Sequence, residues 1–350
     1  MQESGCKRVP MQQNEIQAPV SVLDEKGSPQ NFGWARQPYF FYDPALVWAP
    51  RQKISESDRY IVYNPTHMVI FEIRDDGYLG YMAVTIVSLI DKKRSTQVFQ
   101  TFFPLGAYNM PSESSNGAVH YRRKKKLLDF VPMEGNIRII KVDIPKFGRR
   151  SLRGELVLTE PPMAESLVNN LPWWANGNAF RYSRRSPVFL VEGVIQFGRT
   201  EIIFSSGKAW GILDWNRSIR PRIDISYWAS ACGNSNGRLV GFSAGNGLID
   251  SSAGTENAFF VDGRLHKLDQ VTFHIPPVWL SPWHFSSSDH RLEMTFTPLQ
   301  ERVDRRQMLF FTMSRRQVYG NFSGKAILDD GFTLEFNNIT GFAERSRSRF

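Results

Sequence analysis

One stretch in the second half of the chain combines acids, aromatics and an arginine in a way that suits acid–base chemistry. Asp214 sits between Ile212–Leu213 and Trp215, an apolar and aromatic setting that would desolvate its carboxyl group. Desolvation raises a carboxyl pKa, as a general acid requires. Arg217, three positions on, is the evident counter-charge and would pull the other way. An Asp–Arg pair that only locks a strand is the competing reading. Glu256 lies in Thr255–Glu–Asn257, just ahead of the apolar run Ala258–Val261. An acid followed by an amide there suits hydrogen bonding to a polar ligand head, and equally suits closure of a turn. If Asp214 and Glu256 converge, they form a carboxylate pair of the kind used for proton transfer. His266, in Arg264–Leu–His–Lys267, can give or take a proton near neutral pH, or simply bond a neighbouring strand. Asp214, Glu256 and His266 are therefore the candidate catalytic residues.

Around them lie the residues expected to hold a ligand. Trp210, Trp215 and Trp228 fall within one short region, with Trp173–Trp174 upstream. Aromatic walls suit a flat apolar molecule or a sugar face, and they also suit a plain barrel core. Arg217 and Asn257 would orient polar groups. No metal is expected: His67, His120, His274, His284 and His290 show no ligand spacing, and neither HxH nor HExxH occurs. The glycine-rich run Gly241–Phe–Ser–Ala–Gly–Asn–Gly247 lacks the Lys-Ser/Thr of a phosphate loop, and Ser243 is not in a GxSxG elbow. The expected chemistry needs no cofactor.

The elements that must position these residues read as strands. Phe, Tyr and Trp make up 13% of the 350 residues, a bias toward extended structure. Alternation of apolar and polar residues dominates, as in Arg153–Glu160, Val188–Phe197 and His290–Thr297. Turn signals separate the alternating runs at Asp75–Asp76–Gly77, Phe197–Gly198–Arg199, Asn236–Gly237, Asp262–Gly263 and Asp329–Asp330–Gly331. Asn-Gly and Asp-Gly supply the positive φ that tight hairpins demand. Such punctuation predicts antiparallel barrels or sandwiches. One short helix is predicted around Met163–Asn169, after Pro161–Pro162, and the domain boundary is placed beside it.

Cys6 and Cys232 are far apart, which suits unpaired thiols in a reducing compartment. The longest apolar segment, Tyr78–Ile90, is interrupted by Gly80, Thr85 and Ser88 and falls short of the roughly 20 residues that cross a bilayer. No transmembrane segment and a cytoplasmic location are expected. The net charge of +9 raises the question of nucleic acid. The basic residues are scattered, however, apart from Arg122–Arg123–Lys124–Lys125–Lys126 and Arg345, Arg347 and Arg349, read as a solvated turn and a solvated end. No specific nucleic-acid partner is expected.

Several motifs are spread along the chain from Pro19 almost to Phe350. In the first half they are Gly33–Trp–Ala–Arg36–Gln–Pro38, Phe103–Pro–Leu–Gly106 and Glu160–Pro–Pro–Met–Ala–Glu–Ser–Leu167. The second half carries Ala209–Trp–Gly–Ile–Leu–Asp–Trp–Asn–Arg217, Tyr227–Trp–Ala–Ser–Ala–Cys–Gly233 and Thr255 through Leu268. It ends on Phe296–Thr–Pro298, Gln317 through Gly324 and Thr340–Gly–Phe–Ala–Glu344. Together these motifs resemble the family known as domain of unknown function 2804. Where the family usually has Asp-x-Gly-Arg-Gly, this chain has Asp214–Trp–Asn–Arg–Ser218. Where it often has a lysine, this chain has Tyr182–Ser–Arg–Arg185. The family is similar in layout to tandem lipocalin-like proteins that include carotenoid hydratases and some pericyclases, in which an Asp and a following Trp line the site. Asp214–Trp215 with Trp228 is loosely similar to that pattern.

These readings combine into an all-β chain of two lipocalin-like antiparallel β-barrel halves packed together, with few short helices. Residues 1–17 are expected to be a flexible N-terminus, 18–165 the first half and 166–350 the second. The expected function is binding of a hydrophobic or lipid-like small molecule, with cofactor-free acid–base chemistry of the hydratase, isomerase or cyclase type on it. The alternatives are a structural or interaction module without enzymatic activity, and a carbohydrate-binding protein using the Trp cluster.

Overall fold

The computed structural model describes residues 12–173, 176–308 and 311–349. Cys6, Trp174 and most of the expected flexible N-terminus lie outside them. Within them the chain is all-β, with two curled antiparallel half-barrel sheets packed together. Strands of the first sheet run in the order Arg94–Phe102, Leu79–Ser88, His67–Asp75, Ile54–Tyr63, Trp210–Ile219, Asn176–Phe197, Arg150–Thr159, Ile137–Phe147, Lys126–Met133 and Val119–Arg123. Gly33–Ala35, Leu167–Trp173 and Thr200–Phe204 pair alongside this path. Curling brings the two edge strands together, so that Arg123 Nη1 donates to Thr101 Oγ1 at 2.8 Å.

The second sheet runs Arg264–Lys267, Ala258–Val261, Arg238–Gly247, Ile223–Ser235, Thr333–Arg349, Phe311–Ile327, Leu292–Met308, Trp283–Ser287 and Val271–His274. The chain therefore changes sheet between Ile219 and Ile223, well past the 165/166 division drawn from sequence. The short helix expected at Met163–Asn169 is instead a turn leading into a strand. Leu167–Trp173 pairs with Asn176–Phe197 on one side, and its Val168–Asn170 portion pairs with Gly33–Ala35 on the other. Sheet hydrogen bonds on both sides override a local helical preference. Two short 3-10 turns, Pro44–Leu46 and Arg51–Lys53, are the helical elements among the described residues.

Each of the predicted turn signals sits between strands, and Asn236–Gly237 and Asp262–Gly263 hold positive φ at both positions. The part of residues 1–17 that is described is tied down: Asn14 N donates to Ala253 O, and Gln13 Nε2 donates to Asp269 Oδ1 at 2.9 Å. The C-terminal arginines are likewise in sheet, because Thr333–Arg349 pairs on both sides.

Apolar layers within and between the sheets hold the molecule. Inward residues such as Tyr60, Phe130, Ile140, Phe180 and Trp215 fill the first half-barrel, and Phe242, Phe259, Trp283, Phe296 and Phe336 fill the second. Between the sheets, Ile61, Tyr63, Ile70 and Ile212 of the first pack on Trp228, Cys232, Tyr319 and Phe342 of the second. Tyr63 Oη bridges that layer, bonding Cys232 O and N at 2.5 Å. The sheets also touch through backbone at Gly241, where a Cβ would lie 2.2 Å from Pro187 O. Gly241→Ala should therefore push the sheets apart and lower stability by about 1–3 kcal/mol, read as a fall in the urea unfolding midpoint.

Candidate functional site

The strands that meet between the sheets are buried on both faces, so alternation decides which residues face the gap. Register places Arg185 opposite Asp214, Asp214 opposite Arg59, and Arg59 opposite Glu72. Four adjacent strands of the first sheet thus present a row of alternating charge. Register in the second sheet places Trp228 opposite Glu344 and Glu344 opposite Gln317. The two rows meet across a cavity of about 110 Å³.

Arg59 joins them. Its Nη2 lies 2.9 Å from Asp214 Oδ2 and 2.9 Å from Glu344 Oε1, and its guanidinium stacks 4.7 Å from the Trp228 ring centroid. Gln317 Nε2 donates to Glu344 Oε2 at 2.9 Å, and Asn216 Nδ2 donates to Asp214 Oδ1 at 2.8 Å. Arg185 also stacks on Trp228 at 4.7 Å, and its Nη2 lies 3.0 Å from Glu256 Oε1. Its Nε is 3.5 Å from Asp214 Oδ1, too long for a good hydrogen bond. Arg185 Nε and Nη1 are buried without a hydrogen-bond partner. Arg181 reaches both Glu256 and Asp224 and stacks on Trp173 at 4.9 Å.

This setting reverses one expectation. Burial works against the charge of Asp214, but Arg59 and Arg185 outweigh it and hold the carboxyl below its ordinary value. That direction is opposite to the raised value expected from its apolar sequence neighbours. Glu256 does reach the site, yet it meets Asp214 only through Arg185, so the two acids share a cation and not a proton.

The remaining expected residues divide. Trp228 lines the cleft and donates from Nε1 to Ser243 Oγ at 3.0 Å. Arg217 is not the partner of Asp214, because positions three apart on a strand face opposite ways. It lies inside the first half-barrel, paired with Asp58 at 2.9 Å. Trp215 faces the same interior, edge-on to Tyr182 with ring centroids 4.8 Å apart. Trp210 packs near Tyr63, with centroids 6.3 Å apart, away from the cleft lining. Asn257 closes a loop, its Oδ1 accepting from Gly245 N and its Nδ2 donating to Asp269 O. His266 Nδ1 accepts from Asp329 N at 3.1 Å, also away from the cleft. Among the described residues, Trp173, Trp210, Trp215 and Trp228 make no exposed row of the kind a sugar-binding groove displays.

Arg59, Arg181, Arg185, Asp224 and Glu344 were not singled out from sequence. Arg185 and Glu344 did fall within quoted motifs, and Arg59, Arg181 and Arg185 each lie in a strand buried on its other face. A charged residue inside such a strand is the signal that could have found them.

With the geometry in hand, the comparisons place the chain. It belongs to the family described as Domain of unknown function (DUF2804). The family model matches residues 13–350. No curated protein matches the sequence. Among solved structures, CghA with Sch210972 is similar at 10% identity and a TM-score of 0.53, covering 85% of this chain and 89% of CghA. CghA in a second structure gives 9% identity and a TM-score of 0.54 over the same shares of the two chains. Kievitone hydratase from Nectria haematococca gives 8% and 0.46, covering 84% of this chain and 88% of its own. At these identities the likeness is one of fold alone, and the two CghA structures carry it.

The depressed pKa of Asp214 has a pH consequence. Its stabilisation is present above the unfolded-state value, ordinarily 3.8, and is lost as pH falls through the lower folded value. Asp214→Asn should cost about 3 kcal/mol at neutral pH, the low end for breaking a buried pair because Glu344 still faces Arg59. It should also flatten the acid limb of the stability profile, measured by urea unfolding at stepped pH.

Proposed function

We propose that this protein binds a compact small molecule in the cleft between its two half-barrels, through an anionic or carbonyl oxygen held by Arg185 and a flat face laid near Trp228 and Tyr227. The single observation that carries this reading is Arg185 itself. It is 5% exposed, lines the cleft, and has two N–H-bearing nitrogens without acceptors. Buried guanidinium donors left unpaired are costly, and a ligand oxygen placed between them would repay that cost. Arg185 cannot relax toward Glu256 or Asp214 beyond the contacts already made, since both acids are shared with Arg181 and Arg59.

The charged lining narrows the hydrophobic or lipid-like ligand expected from sequence to one with a polar end. It suits a molecule with a polar reacting end: Arg185 can polarise a bound carbonyl while Asp214 takes a proton from the carbon beside it, the C–H electron pair moving onto the oxygen as an enolate that Arg185 holds. That is the polar part of cofactor-free hydration or cyclisation. The fold similarity to CghA, solved with Sch210972, supports reading this architecture as one that accommodates a bound molecule.

Native mass spectrometry after incubation with a deproteinised small-molecule extract should find anionic or carbonyl-bearing species retained by the wild-type protein. Arg185→Gln removes one charged hydrogen-bonding group and should weaken retention roughly 10- to 100-fold. Equal retention by the wild type and the variant would exclude the cleft as the binding site.

A further inference from the structure

One end of the first half-barrel opens into a cavity of about 400 Å³ that shares no lining residue with the cleft between the sheets. That volume falls in the range of small-molecule sites, roughly 300–1,000 Å³. The floor is charged and buried: Arg138, Arg184 and Glu160, exposed by 7%, 6% and 4%. Strand alternation sends Arg184 here while its neighbour Arg185 faces the opposite side of the sheet.

The charges on this floor do not balance. Glu160 is taken by Arg184 at 3.2 Å and by the Ser186 hydroxyl at 2.5 Å. Asp58, deeper in the barrel, is taken by Arg217 at 2.9 Å. Arg138 donates only to neutral oxygens, from Nη1 to Tyr60 Oη at 3.2 Å and from Nη2 to Ser114 O at 2.7 Å. Burial opposes the charge of Arg138, yet its pKa stays above the ordinary value through nearby Tyr60 and Glu160, so it remains a cation. A buried cation without its own counter-ion beside an open cavity is a place for an anion.

The rim is apolar. Met133 is 52% exposed and Met163 is 92% exposed. Met163 holds a positive φ of 59°, a region unfavourable for a side chain, and so keeps a methionine at the cavity mouth in place of the glycine that region favours. Ile137, at the start of its strand, also lines the pocket.

We propose that this pocket is a second ligand site, distinct from the cleft, which takes a monocarboxylate with an apolar body, its head on Arg138 and its body along Ile137, Met133 and Met163. Guanidinium geometry matches a planar carboxylate, and flexible methionines adapt to an apolar chain.

Octanoate and octanol, titrated into protein carrying ¹³C-methyl methionine and followed by NMR, distinguish the outcomes. Octanoate should bind saturably at one equivalent with shifts at Met133 and Met163, and octanol about tenfold or more weaker. Arg138→Gln should abolish the preference for the acid over the alcohol. Met163→Glu, at an exposed position that leaves the fold intact, should weaken octanoate about tenfold. Absence of a saturable shift at millimolar octanoate would overturn the proposal. So would equal affinity for octanol, shifts confined to Met313 in the cleft, or an unchanged affinity in Met163→Glu.

Discussion

The guanidinium of Arg59 is the contact on which the relation between the two sheets depends. It is 4% exposed and bound at once to Asp214 of its own sheet and Glu344 of the other. Burying three charges is expensive, and the expense is offset only when both carboxylates sit at hydrogen-bonding distance. The apolar layer of Ile61, Tyr63, Ile212, Trp228 and Phe342 supplies adhesion but tolerates sliding. Arg59 does not, because moving one sheet along the other separates it from one acid. Gln317, Asn216 and the face of Trp228 occupy the remaining directions around the triad. The cleft lies where these charged rows run beyond the apolar layer, so register and site share one cause.

A second consequence follows from strands buried on both faces. Along Asn176–Phe197, Tyr182 and Arg184 enter the first half-barrel while Arg181 and Arg185 enter the gap between sheets. Along Trp210–Ile219, Trp215 and Arg217 go inward and Asp214 outward. Neighbours in sequence thereby serve two chemically separate environments. The interior one holds the pairs Arg217–Asp58 and Arg184–Glu160 around a barrel core, and the outer one is an arginine-rich interface. A slip of one residue in register would exchange them, placing charge in both apolar layers.

Fold similarity at about 10% identity to CghA shows how little of the shape depends on particular residues. Turn chemistry and alternation are enough to build two curled sheets, and many sequences satisfy both. Activity is a property of the site placed on such a scaffold. In this chain the site is defined by where its arginines lack acceptors. At Arg185 the unmet capacity is in hydrogen bonds, and at Arg138 it is in charge.

The β architecture was legible in the sequence because its causes are local. Asp-Gly and Asn-Gly demand positive φ at a turn whatever surrounds them, and apolar alternation marks a strand within a few residues. Glu256 and Trp228 were also visible as members of a candidate site, and Asp214 as its centre. The tertiary structure decided everything that depends on which strands lie side by side. It gave Asp214 the partners Arg59, 155 residues away, and Arg185, in place of Arg217. That choice turned the upward push expected on its carboxyl pKa into a downward one. It turned Met163–Asn169 from the expected helix into a turn and strand, because Gly33–Ala35 and Asn176–Phe197 offered hydrogen bonds on both sides. It sent His266 and Asn257 to loop closure. Periodicity reports which residues share a face, but only pairing between distant strands determines what that face meets.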